Sequence, residues 1–87
     1  MPTTIIIHKV QDHDHWRNVY DAQAQLAEDA GRKSETVYRS VDDPNDVALI
    51  GTYETAEGFQ SLMESEILRT VMGEAGVQGV PTIHIID

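Results

Sequence analysis

His8 and His84 each sit inside a β-branched, aliphatic run, Ile5-Ile6-Ile7-His8 near one end of the chain and Thr82-Ile83-His84-Ile85-Ile86 near the other. A neutral imidazole works as a general base near neutral pH, and a phenol beside it can hold a carbonyl oxygen or return a proton. Tyr20, Tyr38 and Tyr53 are the available phenols. This is the equipment of an enolisation or an aldol-type cyclisation, with His8, His84 and Tyr53 as candidate catalytic residues. The same histidines serve equally as hydrogen-bonded residues of a core or of a subunit face. Trp16 and Tyr20 lie one helical turn apart and can line an aromatic pocket, or simply fill a core. Phe59 and Met63 carry the same pair of readings, Met63 being suited to irregular space. Arg39 can hold a substrate carboxylate or phenolate through its planar fork, or pair with one of the fifteen acidic side chains. Trp16, Tyr20, Tyr38, Arg39, Phe59 and Met63 are thus the candidate substrate contacts.

Other chemistries are disfavoured by spacing. Asp12-His13-Asp14-His15 contains metal-ligand types, but at a helix start His13 and His15 point about 200° apart and converge poorly on one ion. Helix capping accounts for the aspartates without a metal. Gly73, Gly76 and Gly79 are followed by neither a helix nor a lysine, so no phosphate loop is present. With no cysteine there is no disulfide, thiolate metal site or thiol nucleophile, and a reducing cytoplasm is the expected compartment. A net charge of -9 repels phosphate backbones and anionic lipids, which argues against nucleic acid and membrane partners. The longest apolar run, Ile5-Ile6-Ile7, falls far short of the roughly 20 residues of a membrane span, and no basic leader region precedes it.

The elements that must position these groups follow from periodicity. Thr3 to Val10 is β-branched and short, a buried strand. From Asp12 or Asp14 onward, Trp16, Val19, Tyr20, Gln23, Leu26, Ala27 and Ala30 recur at helical spacing up to Gly31, which predicts one amphipathic helix. Glu35 to Val41 and Val47 to Glu54 flank Asp42-Asp43-Pro44-Asn45-Asp46 and predict a hairpin around a surface turn. Thr55 caps a second helix carrying Phe59, Leu62 and Met63, and Ser65 restarts it for Ile67, Leu68, Val71 and Met72. The three glycines from Gly73 to Gly79 predict a loop, and Pro81 leads into a last strand.

The order β-α-β-β-α-β is the split β-α-β arrangement: an α+β, ferredoxin-like single domain over residues 1–87, with a four-stranded antiparallel sheet and helices on one face. The strands are apolar on both faces, and a chain this short has nothing left to cover the second one, so a homodimer is expected.

His8-Lys9-Val10, Asp12, Trp16-Arg17, Tyr20-Asp21, the stretch Tyr38 to Asn45 and the tail from Ser65 to Pro81 resemble the dimeric α+β barrel superfamily. Its short stand-alone members include antibiotic-biosynthesis-monooxygenase-like proteins and small polyketide cyclases. The resemblance spans nearly the whole chain and implies two subunits whose sheets form a central barrel, each with a pocket between sheet and helices. It also implies cofactor-independent oxygenation, cyclisation through a His and a Tyr, or haem degradation as the range of activities; the Asn, Trp, Tyr and Arg set of the oxygenases does not align here as a unit. Two functions stand side by side. One is an enzyme without a cofactor, a cyclase, isomerase or monooxygenase acting on a hydrophobic aromatic or polyketide-like molecule; the other is a non-catalytic ligand-binding or interaction protein. In the first, His8, Trp16, Tyr20, Tyr53 and His84 meet in one pocket.

Overall fold

A computed structural model describes residues Met1–Asp87. The order is β1 (Thr3–Val10), α1 (His13–Ala22), α2 (Ala24–Asp29), β2 (Arg32–Arg39), β3 (Asp46–Tyr53), α3 (Ala56–Glu64), α4 (Glu66–Glu74) and β4 (Val77–Ile86). The four strands form one antiparallel sheet in the order β2-β3-β1-β4, the ferredoxin-like arrangement that the sequence predicts.

Both helical layers are interrupted. The single helix predicted from residue 12 or 14 to Gly31 divides at Gln23, whose φ of -106° and ψ of 16° leave the helical region. Amphipathic spacing continues through the break, so periodicity does not reveal it. Asp12 caps α1 by accepting the His15 amide, and Gly31 turns the chain into β2 at a φ of 101°. The second break falls where it is expected: Ser65 closes α3 and caps α4, its hydroxyl accepting from the Leu68 amide.

The hairpin turn is built as an Asx turn, with the Asn45 amide donating to Asp43 Oδ1 at 2.9 Å. Asn45 also ties the turn to the first helix, since its carbonyl accepts from Val10 N at 2.8 Å and its side-chain oxygen from His13 N at 3.0 Å.

Two strand starts lie three residues or more before the predicted ones, each at a bulge. Strand β2 begins at Arg32 rather than Glu35, and its register against β3 slips between Arg32 and Ser34. Strand β4 begins at Val77 rather than after Pro81, and its pairing with β1 jumps from Ile7↔Thr82 to Lys9↔Gln78. The glycines read as loop are accommodated differently: Gly73 lies within α4, Gly76 turns the chain at a φ of 81°, and Gly79, at a φ of 71°, forms the β4 bulge with Val80 and Pro81.

The core lies between the sheet and the helices, where Ile6, Val10, Val47, Leu49 and Tyr53 meet Trp16, Phe59 and Leu62. The other sheet face is bare. Ile7 and Ile50 are about two-fifths exposed, and Tyr38 and Ile86 about half.

Close approach of α3 to the end of α2 depends on Gly58, where a Cβ would sit 2.3 Å from the Ala30 carbonyl oxygen. Alanine in a helix is ordinarily favoured over glycine by about 1 kcal/mol. The sign inverts here: Gly58→Ala is expected to lower the midpoint of urea unfolding, and an unchanged or raised midpoint would contradict this packing.

Candidate functional site

Strand alternation decides which side chains meet. On β1, Ile6, His8 and Val10 turn to the helices, while Ile5, Ile7 and Lys9 face the bare side. His8 is 7% exposed, and neither ring nitrogen has a hydrogen-bond partner. It lies edge-on to Trp16, with ring centroids 5.7 Å apart, and Trp16 in turn stacks on Tyr20 at 5.0 Å. These rings line a cavity of about 100 Å³ between sheet and helices, otherwise walled mainly by aliphatic side chains of α2, α3 and α4. Burial holds the His8 imidazole below its ordinary pKa of 6.5, with Asp46 opposing that shift, so the ring is neutral at pH 7.

At the other end of the cavity is a polar cluster that the sequence reading did not include. Tyr20 Oη donates to Glu35 Oε1 at 2.5 Å, and Arg32 Nη1 donates to the same Tyr20 oxygen at 3.1 Å and to Glu35 Oε1 at 3.3 Å. The Glu35 side chain is 4% exposed. Strict alternation would place Arg32 and Glu35 on opposite faces; the bulge between Arg32 and Ser34 turns both toward the helices. A strand read as starting at Glu35 carries no signal of that pairing. Burial, followed by the bond to Glu35, pushes the Tyr20 pKa up; burial, followed by the charge of Glu35, pushes Tyr53 up to about 12. Both phenols therefore stay protonated across the physiological range. His8 pairs with Val47 on β3, and Tyr53 lies six residues further along, about 20 Å of strand. The two groups serve opposite ends of the cavity, and Trp16 and Tyr20 run between them.

The structure brings together His8, Trp16, Tyr20, Tyr53 and Met63 around this cavity. It does not bring His84 there. His84 pairs directly with Ile5 across the β1–β4 ladder and shares its bare face, so the expected meeting of two histidines in one pocket fails on strand phase. Tyr38 faces the same bare side, opposite Ala48. Arg39 lies at the end of β2 and donates from Nε to the Pro44 carbonyl at 3.2 Å. Phe59 is fully buried behind the cavity, edge-on to Tyr53 at 5.0 Å. His13 and His15 diverge: His13 leans on Trp16, with centroids 5.8 Å apart, whereas His15 Nε2 lies 2.7 Å from the Glu74 carbonyl oxygen at the end of α4. No three His, Asp or Glu side chains converge in the way a metal ion needs.

No family model and no curated protein matches the sequence. Among solved structures, a protein from Bordetella bronchiseptica provisionally classed as an antibiotic biosynthesis monooxygenase superposes with a TM-score of 0.82 at 16% identity, over 99% of this chain and 94% of that one. SnoaB, a cofactor-independent oxygenase from Streptomyces nogalater, gives 0.77 at 13% identity, over 99% of this chain and 90% of that one. A Nitrosomonas europaea protein of the same provisional class gives 0.65 at 19% identity, over 100% and 97% of the two chains. What is shared at these identities is the architecture, and over its whole length this chain has the ferredoxin-like fold of the antibiotic biosynthesis monooxygenases.

Proposed function

We propose that the chain is a small enzyme that transfers a proton from a compact, largely apolar aromatic molecule held between sheet and helices, with His8 as the general base. The observation that carries this is the His8 ring, buried among apolar side chains with both nitrogens unpartnered. Leaving a buried polar group unsatisfied costs on the order of 1–3 kcal/mol, which a ligand hydroxyl or activated C–H group in the cavity would offset. A neutral base in a dry site then takes that proton, leaving a phenolate or enolate. An electron-rich anion of this kind reacts with oxygen or cyclises, and the oxygenase fate is supported by the likeness in fold to SnoaB, described as a cofactor-independent oxygenase. No helix is long and apolar enough to cross a membrane.

His8→Leu separates this role from a structural one. It removes the unpartnered nitrogens at similar volume, so stability is expected to rise by about 1 kcal/mol while turnover is lost. A fall in stability with turnover intact would refute the assignment, and ligand binding without turnover in the wild type would favour the non-catalytic binding protein.

The pH dependence has a definite sign. The His8 pKa is lower in the folded chain than the ordinary 6.5, so between those two values the unfolded chain binds the extra proton. Its contribution to stability is complete above pH 6.5 and declines as the pH falls toward the folded value. Activity follows the folded titration and should show its acid limb below pH 6.5. Urea unfolding and initial rates across pH 4.5 to 8, compared with His8→Leu for stability, read out both trends.

We also propose that the bare sheet face closes against a second copy. Ile7 at 41% exposure, Ile50 at 40% and Ile86 at 51% leave large apolar side chains open on it. Light scattering at micromolar concentration is expected to give a dimer mass, and Ile7→Asp a monomer, because a charge in a dry interface costs several kcal/mol. A monomeric wild type would overturn this.

A further inference from the structure

The cavity beside His8 is smaller than the ~150 Å³ apolar cavity that admits a benzene. A second depression of about 440 Å³ lies outside it, between α4 and the start of β4. Met63, Met72 and Val77 line both spaces, so they form the wall between them. Methionine is the side chain best able to change shape at small cost, having three rotatable bonds and no branching. The β4 bulge forms the floor of the outer groove: β4 passes His8, the one β1 residue between the paired Ile7 and Lys9, with Gly79, Val80 and Pro81. The groove therefore runs past the backbone of the strand that carries the proposed base, whose side chain lines the inner cavity. The two volumes together reach the 300–1,000 Å³ of ordinary small-molecule sites, which neither the inner cavity nor a rigid wall would allow for a ring with a tail.

Arg69 stands on the groove. Lys9, Arg17, Arg32 and Lys33 are ion-paired with carboxylates, and Arg39 is bonded to the Pro44 carbonyl. Arg69 alone among the six basic side chains makes neither an ion pair nor a side-chain hydrogen bond, in a chain carrying fifteen acids. A guanidinium left free beside an apolar groove is matched to a carboxylate, which it binds with two parallel hydrogen bonds.

We infer that the ligand is an amphipathic carboxylate: its ring enters the inner cavity past Met63 and Met72, its apolar chain lies in the groove over Val80 and Pro81, and its carboxylate pairs with Arg69. This rests on the site proposed above and adds the ligand class and the residues that select it. Met63 and Met72 act as the movable partition, and Arg69 as the determinant of specificity.

Trp16 is the sole tryptophan and lines the inner cavity, so its fluorescence reports occupancy. Wild type and Arg69→Gln are titrated with toluene, phenyloctanol and phenyloctanoate. Arg69 is exposed on α4, so its replacement is expected to leave the fold and toluene binding unchanged. Phenyloctanoate should bind the wild type about tenfold more tightly than phenyloctanol, and Arg69→Gln should abolish that preference. Equal affinity of the acid and the alcohol for the wild type, or a preference that survives Arg69→Gln, overturns the inference. Toluene binding with no gain from either chain overturns the groove while leaving the cavity reading intact. Binding of none of the three probes overturns both.

Discussion

Strand β1 is hydrogen-bonded on both sides, to β3 and to β4, and its pleat divides Ile6, His8 and Val10 from Ile5, Ile7 and Lys9. Every other feature of the molecule takes its place from that division. A slip of one residue would send His8 to the bare face and Ile7 into the cavity, so the register that buries the aliphatic residues is also the one that positions the imidazole. The cost of burying His8 is carried by its neighbours, because Ile6 and Val10 lie on the same face of the strand and both belong to the core.

The sheet then presents two surfaces of different character. The helix side is closed by Trp16, Leu62 and Phe59 except for the small space beside His8, where the packing stops short. Native interiors are packed nearly as densely as organic crystals, so a residual apolar space next to an unpartnered imidazole has the makings of a site. The opposite side carries Ile7, Ile50, Tyr38 and Ile86 and is left uncovered by the helices. One strand pattern thus underlies both an internal cavity and an exposed apolar face.

Two bulges shape the ends of the pocket. In β2 the extra residue turns Arg32 to the same side as Glu35, and the pair holds the Tyr20 hydroxyl at the polar end. In β4 the longer bulge at Gly79 to Pro81 passes the His8 position and forms the floor of the outer groove. A bulge re-aims a side chain without breaking the strand, as the one in β2 does for Arg32.

The order of elements, the two-faced sheet, the Asp12, Thr55 and Ser65 caps and the Asp42 to Asp46 turn were legible in the sequence, since each depends on local periodicity or on a side chain bonding to a nearby amide. The contributions of Trp16, Tyr20 and Met63 to the pocket were legible for the same reason, helical spacing fixing which face they share. The faces of His8 and His84 were not. They depend on the pairing Ile5↔His84, a contact between residues far apart in the chain, and no local pattern states which residue of one strand lies opposite which of another. The joining of Arg32 to Glu35 was hidden similarly, behind a bulge that cancels the alternation by which strand faces are read. The groove under Arg69 required an α4 that continues through Gly73 and a β4 that begins at Val77, where three closely spaced glycines suggested only a loop. The sequence by itself determined the elements and their amphipathic faces through short-range stereochemistry; tertiary register decided which chemical groups meet, because that choice is made by pairing across the sheet.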